Sequence, residues 1–331
     1  RVRSSAASDV YKRQAMQAVI DSCAFINGPQ VKSFAGHLAD YLQVSYVIPC
    51  GNGTDALQIA LMALELQPGD EVILPAFTYI AAAEVVALLG LTPVLVDVDP
   101  RSFNIDPRKI EAAVSGRTKA IVAVHLFGQA CDMEPIMTLA DAYHLYVVED
   151  NAQSIGADYT FSDGRVRKAG TIGHIGTTSF FPSKPLACYG DGGALMTSDE
   201  ALAARIRMIA NHGQECKYHH RWIGCNSRLD TLQAAVLDVK LKHLGEFTET
   251  RRQVASRYDD ALSSCDSLVL PARSTFSTHV YHQYTVQVKD GRRNVLQCLL
   301  KERGIPSMIY YPVPVHHQEA CHSPLFLWRK L

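Results

Sequence analysis

The 331-residue chain has almost no net charge: 32 Lys and Arg face 33 Asp and Glu, a formal balance of -1. No global field therefore draws nucleic acid or an anionic membrane, and neither is expected as a partner. A long apolar run is missing too. The best candidate, Ile80 to Val98, is interrupted by Glu84, Gly90, Pro93 and Asp97, and reads as a buried helix followed by a strand. Nine cysteines occur without one CxxC pair, at spacings that fit no zinc pattern. No metal site is expected, and scattered reduced thiols suggest a cytoplasmic protein. With 47% hydrophobic and 20% charged residues, the composition is that of a globular chain.

The length suggests about two domains. The opening RVRSSAASDVYKRQ has no apolar core for a secretory signal, and its composition differs from that of the rest of the chain. Residues 1–14 are expected to be a non-native leader resembling translated adapter sequence. The closing PLFLWRKL carries no turn or cap signal, so a truncated end is expected there. Between them, helical and strand-like segments alternate. Ala15–Ile26 and Pro29–Leu42 have helical apolar spacing, Val44–Pro49 reads as a strand, and CGNGTDALQIALMAL turns through glycine into a helix. EVILP, TPVLVDVD, KAIVAVHL and LYVVED are short apolar runs ending in polar or turn residues, as in a mostly parallel sheet covered on both faces. One long helix is expected over Asp230–Asp260, followed by a smaller α+β region with a strand in YHQYTVQV and a helix in NVLQCLLKERG.

Ligands on such sheets sit beyond the carboxyl ends of the strands, so the polar residues there are the chemical candidates. GNGTDAL makes a glycine turn into a helix whose first amides are free for phosphate, with Thr54 adding a hydroxyl; a capped turn is the alternative. It lacks the third glycine of a dinucleotide fingerprint, which weighs against a nicotinamide dehydrogenase. Asp150 ends the strand in VVEDNAQS, either as a loop cap or as a carboxylate holding a heteroaromatic nitrogen cationic, with Gln153 placed to reach the same ligand. Lys184, in SFFPSKPLACYGDGG, stands among aromatic and small residues. It is either a snorkelling surface lysine or an amine whose pKa burial lowers. Ser179 can share a phosphate with Thr54, Gly190, Gly192 and Gly193 allow close approach or a hairpin, and Tyr79 can cover a flat ligand or fill the core. Together these supply a phosphate cradle, an acid for a pyridine nitrogen, an amine and an aromatic lid, the set pyridoxal phosphate needs.

In this order, from Asn27 to His317, the segments resemble the DegT/DnrJ/EryC1/StrS family of sugar aminotransferases. The resemblance implies an α/β fold of the type I, aspartate-aminotransferase-like class. It would have a mostly parallel seven-stranded sheet in a pyridoxal phosphate-binding large domain at 15–240 and a small C-terminal α+β domain at 241–331. It also implies a homodimer with shared active sites. Lys184 would be the cofactor-bonded, proton-shuttling lysine, Asp150 the partner of the ring nitrogen, Gln153 a neighbour of the ring hydroxyl and Tyr79 the stacking lid. Thr54, the Asp55 backbone amide and Ser179 would hold the phosphate, with Asn226 reaching it from the other subunit. DNAQ stands where DAAQ is commoner, and Asn151 is expected to face away from the ring. Lysine at 184, where related dehydratases carry histidine, favours transamination.

NSRLDTLQAA, KYHHRWIG and the lysine segment resemble the branch that aminates C3 of a UDP-linked 2-acetamido-3-keto hexuronic acid for cell-surface polysaccharide. L-Glutamate would be the donor and 2-oxoglutarate the by-product. Arg228 would clamp a carboxylate or else form an interface ion pair. His219 and His220 would line the sugar pocket from the partner, and Tyr310, Tyr311 and His316 would form a late substrate segment, surface placement being the alternative. A C4 sugar aminotransferase or an aromatic-amine synthase of the same family, and a non-catalytic cofactor-binding protein, are the competing readings.

Overall fold

The computed structural model describes residues 6–322 and 326–328. The outermost stretches of the expected leader and truncated end, residues 1–5, 323–325 and 329–331, lie outside them. Helix α1 (Ala6–Ser22) runs across position 14 as one element and packs on a later helix, with Lys12 buried and 2.6 Å from Asp9. It ends at Cys23, which takes a left-handed φ of 53°, so the helix lies N-terminal to the expected Ala15–Ile26. Helix α2 (Pro29–Leu42) matches its expected range, with proline at its first turn and Phe34, Leu38 and Leu42 on the buried face.

A βα alternation follows: β1 (Tyr46–Cys50), α3 (Gly53–Ala63), β2 (Glu71–Pro75), α4 (Ala81–Leu88), β3 (Thr92–Val96), α5 (Pro107–Ala113), β4 (Thr118–Val124), α6 (Met133–Tyr143) and β5 (Tyr146–Asp150). A hairpin of β6 (Asp158–Thr160) and β7 (Val166–Lys168) leads to β8 (Ile175–Ser179), β9 (Gly193–Thr197) and α7 (Glu200–Ala210). Then come a second hairpin, β10 (Gln214–Cys216) and β11 (His219–His220), and helices α8 (Thr231–Leu241) and α9 (Leu244–Leu262). The remainder holds the short pair β12 (Leu268–Val269) and β13 (Gln287–Val288), α10 (Arg293–Glu302) and β14 (Leu327–Trp328).

The main sheet has the order β1-β9-β8-β5-β4-β2-β3-β14, all parallel except β9. The expected seven strands are there, and β14 adds an eighth at the edge. Period-two alternation explains the continuous apolar runs. In β2, Val72 and Leu74 enter the core under α3 and α4 while Ile73 enters the one under α5 and α6; in β4, Val122 and Ile121 divide the same way. A third cluster joins α2, α8 and the back of β9.

Two expectations are corrected. The helix expected over Asp230–Asp260 is two helices. The backbone leaves helical geometry at His243 (φ -108°, ψ 4°), because α8 buries Ala234, Val236 and Leu237 while α9 redirects its buried face to Leu244, Thr248 and Ala255. In YHQYTVQV only Gln287–Val288 is strand, because residues 279–283 spend their backbone groups on the loop after β4 and on α9 side chains.

Candidate active site

The carboxyl ends of β1, β4, β5 and β8 lie together, Asp150 being level with Val124 and Thr177 in the ladder. Beyond β1, Asn52 caps α3 by accepting the Asp55 amide at 2.8 Å. The Asp55 N–H, expected on a phosphate, is thus already given to the cap. The amides of Gly53 and Thr54, first and second in the helix, are the ones left without an intrahelical acceptor. Ser227 pins this start from afar: its hydroxyl donates to Asp55 Oδ2 at 2.6 Å and accepts the Gly51 amide at 2.8 Å. Ser179, ending β8, sits so close that a Cβ on Gly53 would lie 2.7 Å from its own Cβ. The helix start and the serine form a cradle that a side chain at 53 would fill.

Lys184 lies in the connection between the antiparallel strands β8 and β9, and a Cβ on Gly193 would collide with the Asn52 carbonyl oxygen, so glycine there permits a close backbone approach. That connection folds on itself. Phe180 exchanges backbone bonds with Gly192 and Cys188, the Lys184 amide donates to Phe181, and Leu186 and Cys188 are buried beneath. Burial pushes the Lys184 amine down from its ordinary value, and the nearby Asp150 carboxylate works against that. Asp150 is pushed up by burial, opposed by the Ala152 amide, Lys184 and His125. One oxygen accepts the Ala152 amide at 3.0 Å, which leaves the other for a ligand.

Gln153 is buried, takes the Phe127 amide on Oε1 at 2.7 Å and turns its amide toward the Tyr311 hydroxyl at 3.4 Å. Tyr311 is pushed up to about 12, chiefly by burial, with Gln153 opposing and Asp150, Tyr310 and Tyr79 adding to the rise. Tyr311 packs edge-on against Phe77, and Tyr310 against Phe127. Tyr79 stands 62% exposed. Asn151 turns away, its amide bonding the Ala169 carbonyl at 2.7 Å.

The remaining candidates are spread out. His219 and His220 stand exposed on the β10–β11 hairpin, His220 Nδ1 lying 2.9 Å from the His212 carbonyl. Asn226 is exposed and bridges Asn211 through its backbone. Arg228 lies beside Gly51 and forms no ion pair among the described residues. His316 stacks on Trp328, ring centroids 3.9 Å apart, rather than joining Tyr310 and Tyr311.

Three residues beside these candidates were not singled out from the sequence. His125 follows directly from the end of β4, where the strand-end rule would have found it, and Glu149 pairs with it at 2.8 Å. His282 is pushed down to about 3 by burial, with Lys184 and Arg251 adding to the effect, and nothing in its local sequence marks it. Among the described residues no three His, Cys, Asp or Glu side chains are grouped to hold a metal ion. No helix there is long and apolar enough to cross a membrane.

A sequestered amine, a strand-end carboxylate with a free oxygen and a two-amide cradle together fit pyridoxal phosphate. The comparisons agree. The DegT/DnrJ/EryC1/StrS aminotransferase family model matches residues 7–324. UDP-2-acetamido-2-deoxy-3-oxo-D-glucuronate aminotransferase of Pseudomonas aeruginosa is 48% identical over 305 residues, 92% of this chain and 83% of that protein. UDP-N-acetyl-3-dehydro-alpha-D-glucosamine 3-aminotransferase of Acidithiobacillus ferrooxidans is 43% identical over 313 residues, 93% and 83% respectively. A solved DegT DnrJ EryC1 StrS aminotransferase from Brucella abortus superimposes with a TM-score of 0.90 at 42% identity, covering 95% of this chain and 84% of that one. The chain has the type I fold of pyridoxal phosphate-dependent transaminases and belongs to the DegT/DnrJ/EryC1/StrS aminotransferase family.

Proposed function

We propose that this transaminase moves the amino group of L-glutamate to C3 of a UDP-linked 2-acetamido-3-keto hexuronic acid, in the synthesis of a surface polysaccharide. The observation that carries the chemistry is a desolvated Lys184 amine near enough to the strand-end Asp150 carboxylate for each to feel the other's charge, together with the cradle formed by Ser179 and the start of α3. The names of the Pseudomonas and Acidithiobacillus relatives, both acting on 3-oxo or 3-dehydro UDP-sugars, support the regiochemistry. Arg228, a guanidinium without an ion-pair partner among the described residues, suits the carboxylate of the donor or of the uronate.

In this reading Thr54, Ser179 and the amides at the start of α3 bind the cofactor phosphate, where the helix dipole favours an anion. Asp150 pairs with the ring nitrogen, Gln153 lies near the ring hydroxyl, and Tyr79 covers the ring face. When bound, pyridoxal phosphate supplies an electron sink that stabilises negative charge on the carbon losing its proton. Lys184 Nζ takes that proton from the donor's α-carbon and later delivers one to the sugar carbon, positioned acid–base work worth about 10²–10⁴ in rate. Burial is what keeps a neutral amine available for this. Two copies of the chain would share each site: the exposed Asn226, His219 and His220 would reach the partner's phosphate and sugar, with Tyr310 and Tyr311 completing the substrate wall.

The test offers the pyridoxamine phosphate-loaded enzyme a panel of 3-keto and 4-keto nucleotide sugars and reads the products by mass spectrometry. An aminated 3-keto uronate is expected. Preferential amination of a 4-keto sugar would overturn the regiochemistry, and failure of glutamate to regenerate the loaded form would overturn the donor.

A further inference from the structure

Glu149 precedes Asp150 on β5, so the two side chains leave the strand on opposite faces. Glu149 and His125 are both fully buried and 2.8 Å apart. The carboxylate takes the Gly170 amide at 2.8 Å on Oε2 and the Ile172 and Gly173 amides at 2.6 Å each on Oε1. With His125 Nε2 on Oε2, all four acceptor positions are filled by donors. A protonated Glu149 would have to turn a donor against one of them, so the group is held as an anion. Burial works against that charge, but His125 and the amides of Gly173 and Gly170 outweigh it and keep the carboxyl below its usual range.

The proton on His125 is fixed by the same logic. The Cys131 amide points at Nδ1 from 3.0 Å, so Nδ1 accepts and the proton sits on Nε2, facing Glu149; burial disfavours the imidazolium, and although Cys131 and Glu149 pull the ring toward it, a second proton on Nδ1 would meet the Cys131 N–H. The other ionisable groups around the ring are the Cys131 thiol, which donates to the Val124 carbonyl at 3.2 Å, and Asp150.

What this peg holds is the loop 125–131. The His125 amide donates to the Asp150 carbonyl at 3.0 Å, the Ser154 hydroxyl donates to the His125 carbonyl at 2.8 Å, and the Phe127 amide holds Gln153 Oε1. The loop therefore touches both residues that meet the ring in the proposed site.

We infer that Glu149 is a positioning residue: through the single proton arrangement it imposes on His125, it sets where Asp150 and Gln153 meet the cofactor ring. The inference rests on the reading that those two residues face the ring. Replacing the carboxylate by an amide puts an N–H₂ group against either the His125 Nε2–H or the backbone amides. If the imidazole shifts its proton to Nδ1 instead, that proton meets the Cys131 amide. Either way the loop moves, and a displacement near 1 Å at a reacting group costs roughly 10²-fold in rate.

The experiment compares Glu149→Gln with Asp150→Asn in the holoenzyme, following kcat and KM for glutamate and the pH midpoint of the bound cofactor's visible absorbance. For Glu149→Gln we expect kcat to fall about 10²-fold, KM to hold within about threefold, and the midpoint to move in the same direction as in Asp150→Asn. A folded Glu149→Gln enzyme with wild-type kcat and midpoint, beside an impaired Asp150→Asn, would overturn this inference alone. Wild-type behaviour of Asp150→Asn would instead overturn the placement of Asp150 at the ring. If Glu149→Gln does not fold, nitrogen-15 spectra of the unaltered holoenzyme decide. His125 should be the neutral Nε2–H form between about pH 6 and 9, where an ordinary histidine titrates. A titrating or Nδ1-protonated ring would refute the arrangement.

Discussion

Lys184 shows how burial alone prepares an amine. Its folded pKa lies below the ordinary 10.5 because the pocket disfavours the ammonium form. Between the lowered value and 10.5 the unfolded chain binds more protons than the folded one, so the stability of the cofactor-free protein rises with pH across that window. Below it, the buried ammonium costs stability. Lys184→Met is therefore expected to melt higher than the parent near neutral pH, by about 2–4 °C for each kcal/mol relieved, with the gain shrinking toward about pH 10. It should also lose the visible absorbance of the bound cofactor and all turnover. Equal melting curves at both pH values would show that the amine is solvated. Lys184 and Asp150 were legible in the sequence because a lone lysine among apolar residues and an acid closing an apolar run are local signals. The pairing of His125 with Glu149 was not, because two residues 24 apart meet only when β4 and β5 lie side by side.

At the scale of an element, α3 and α2 illustrate two roles of glycine. Gly53 is the first residue of the helix, and Gly53→Ala would drive a methyl group to 2.7 Å from the Ser179 Cβ. The helix start would have to withdraw from β8, so cofactor affinity is expected to fall by tenfold or more, about 1.4 kcal/mol. Gly36, on the exposed face of α2, has nothing within 4 Å of an added Cβ. Gly36→Ala should therefore raise stability by up to about 1 kcal/mol without changing cofactor binding. Titrating cofactor into both apo variants, with thermal melts, checks the pair. Unchanged affinity in Gly53→Ala would mean the cradle lies elsewhere. The start of α3 also marks a limit of sequence reading: the glycine turn into a helix is visible in GNGTDAL, but the cap partner of Asp55 depends on the rotamer of Asn52. The break at Lys242–His243 carries no proline, and it arises only because α8 and α9 face different neighbours.

On the whole-molecule scale, Asn226, His219 and His220 are solvent-facing in a single chain, while the start of α3 and Lys184 are half-buried. If sites are shared between two copies, Lys184→Ala and Asn226→Asp subunits should each be impaired alone, the second by setting a carboxylate beside the phosphate. Mixed after co-refolding, they should regain activity, since each heterodimer holds one intact site. A mixture with no more activity than its parts would place Asn226 on its own chain's cofactor or away from it. His316 belongs to this scale as well: its position in IYYPVPVHH pointed to substrate, but its ring lies flat on Trp328.

Short-range chemistry was written in the order of residues: the apolar runs that must be strands buried on both faces, the polar residue closing each run, the glycine turn into α3 and the isolated lysine. These follow from period, composition and chain direction, which need no neighbour to be known. Only the tertiary structure decided that β9 runs against the sheet and folds the Lys184 connection inward, that the cap consumes the Asp55 amide, and that Glu149 locks the His125 loop. Each of these depends on which groups from distant parts of the chain compete for the same hydrogen bond or the same space, and that competition exists only once the sheet has assembled.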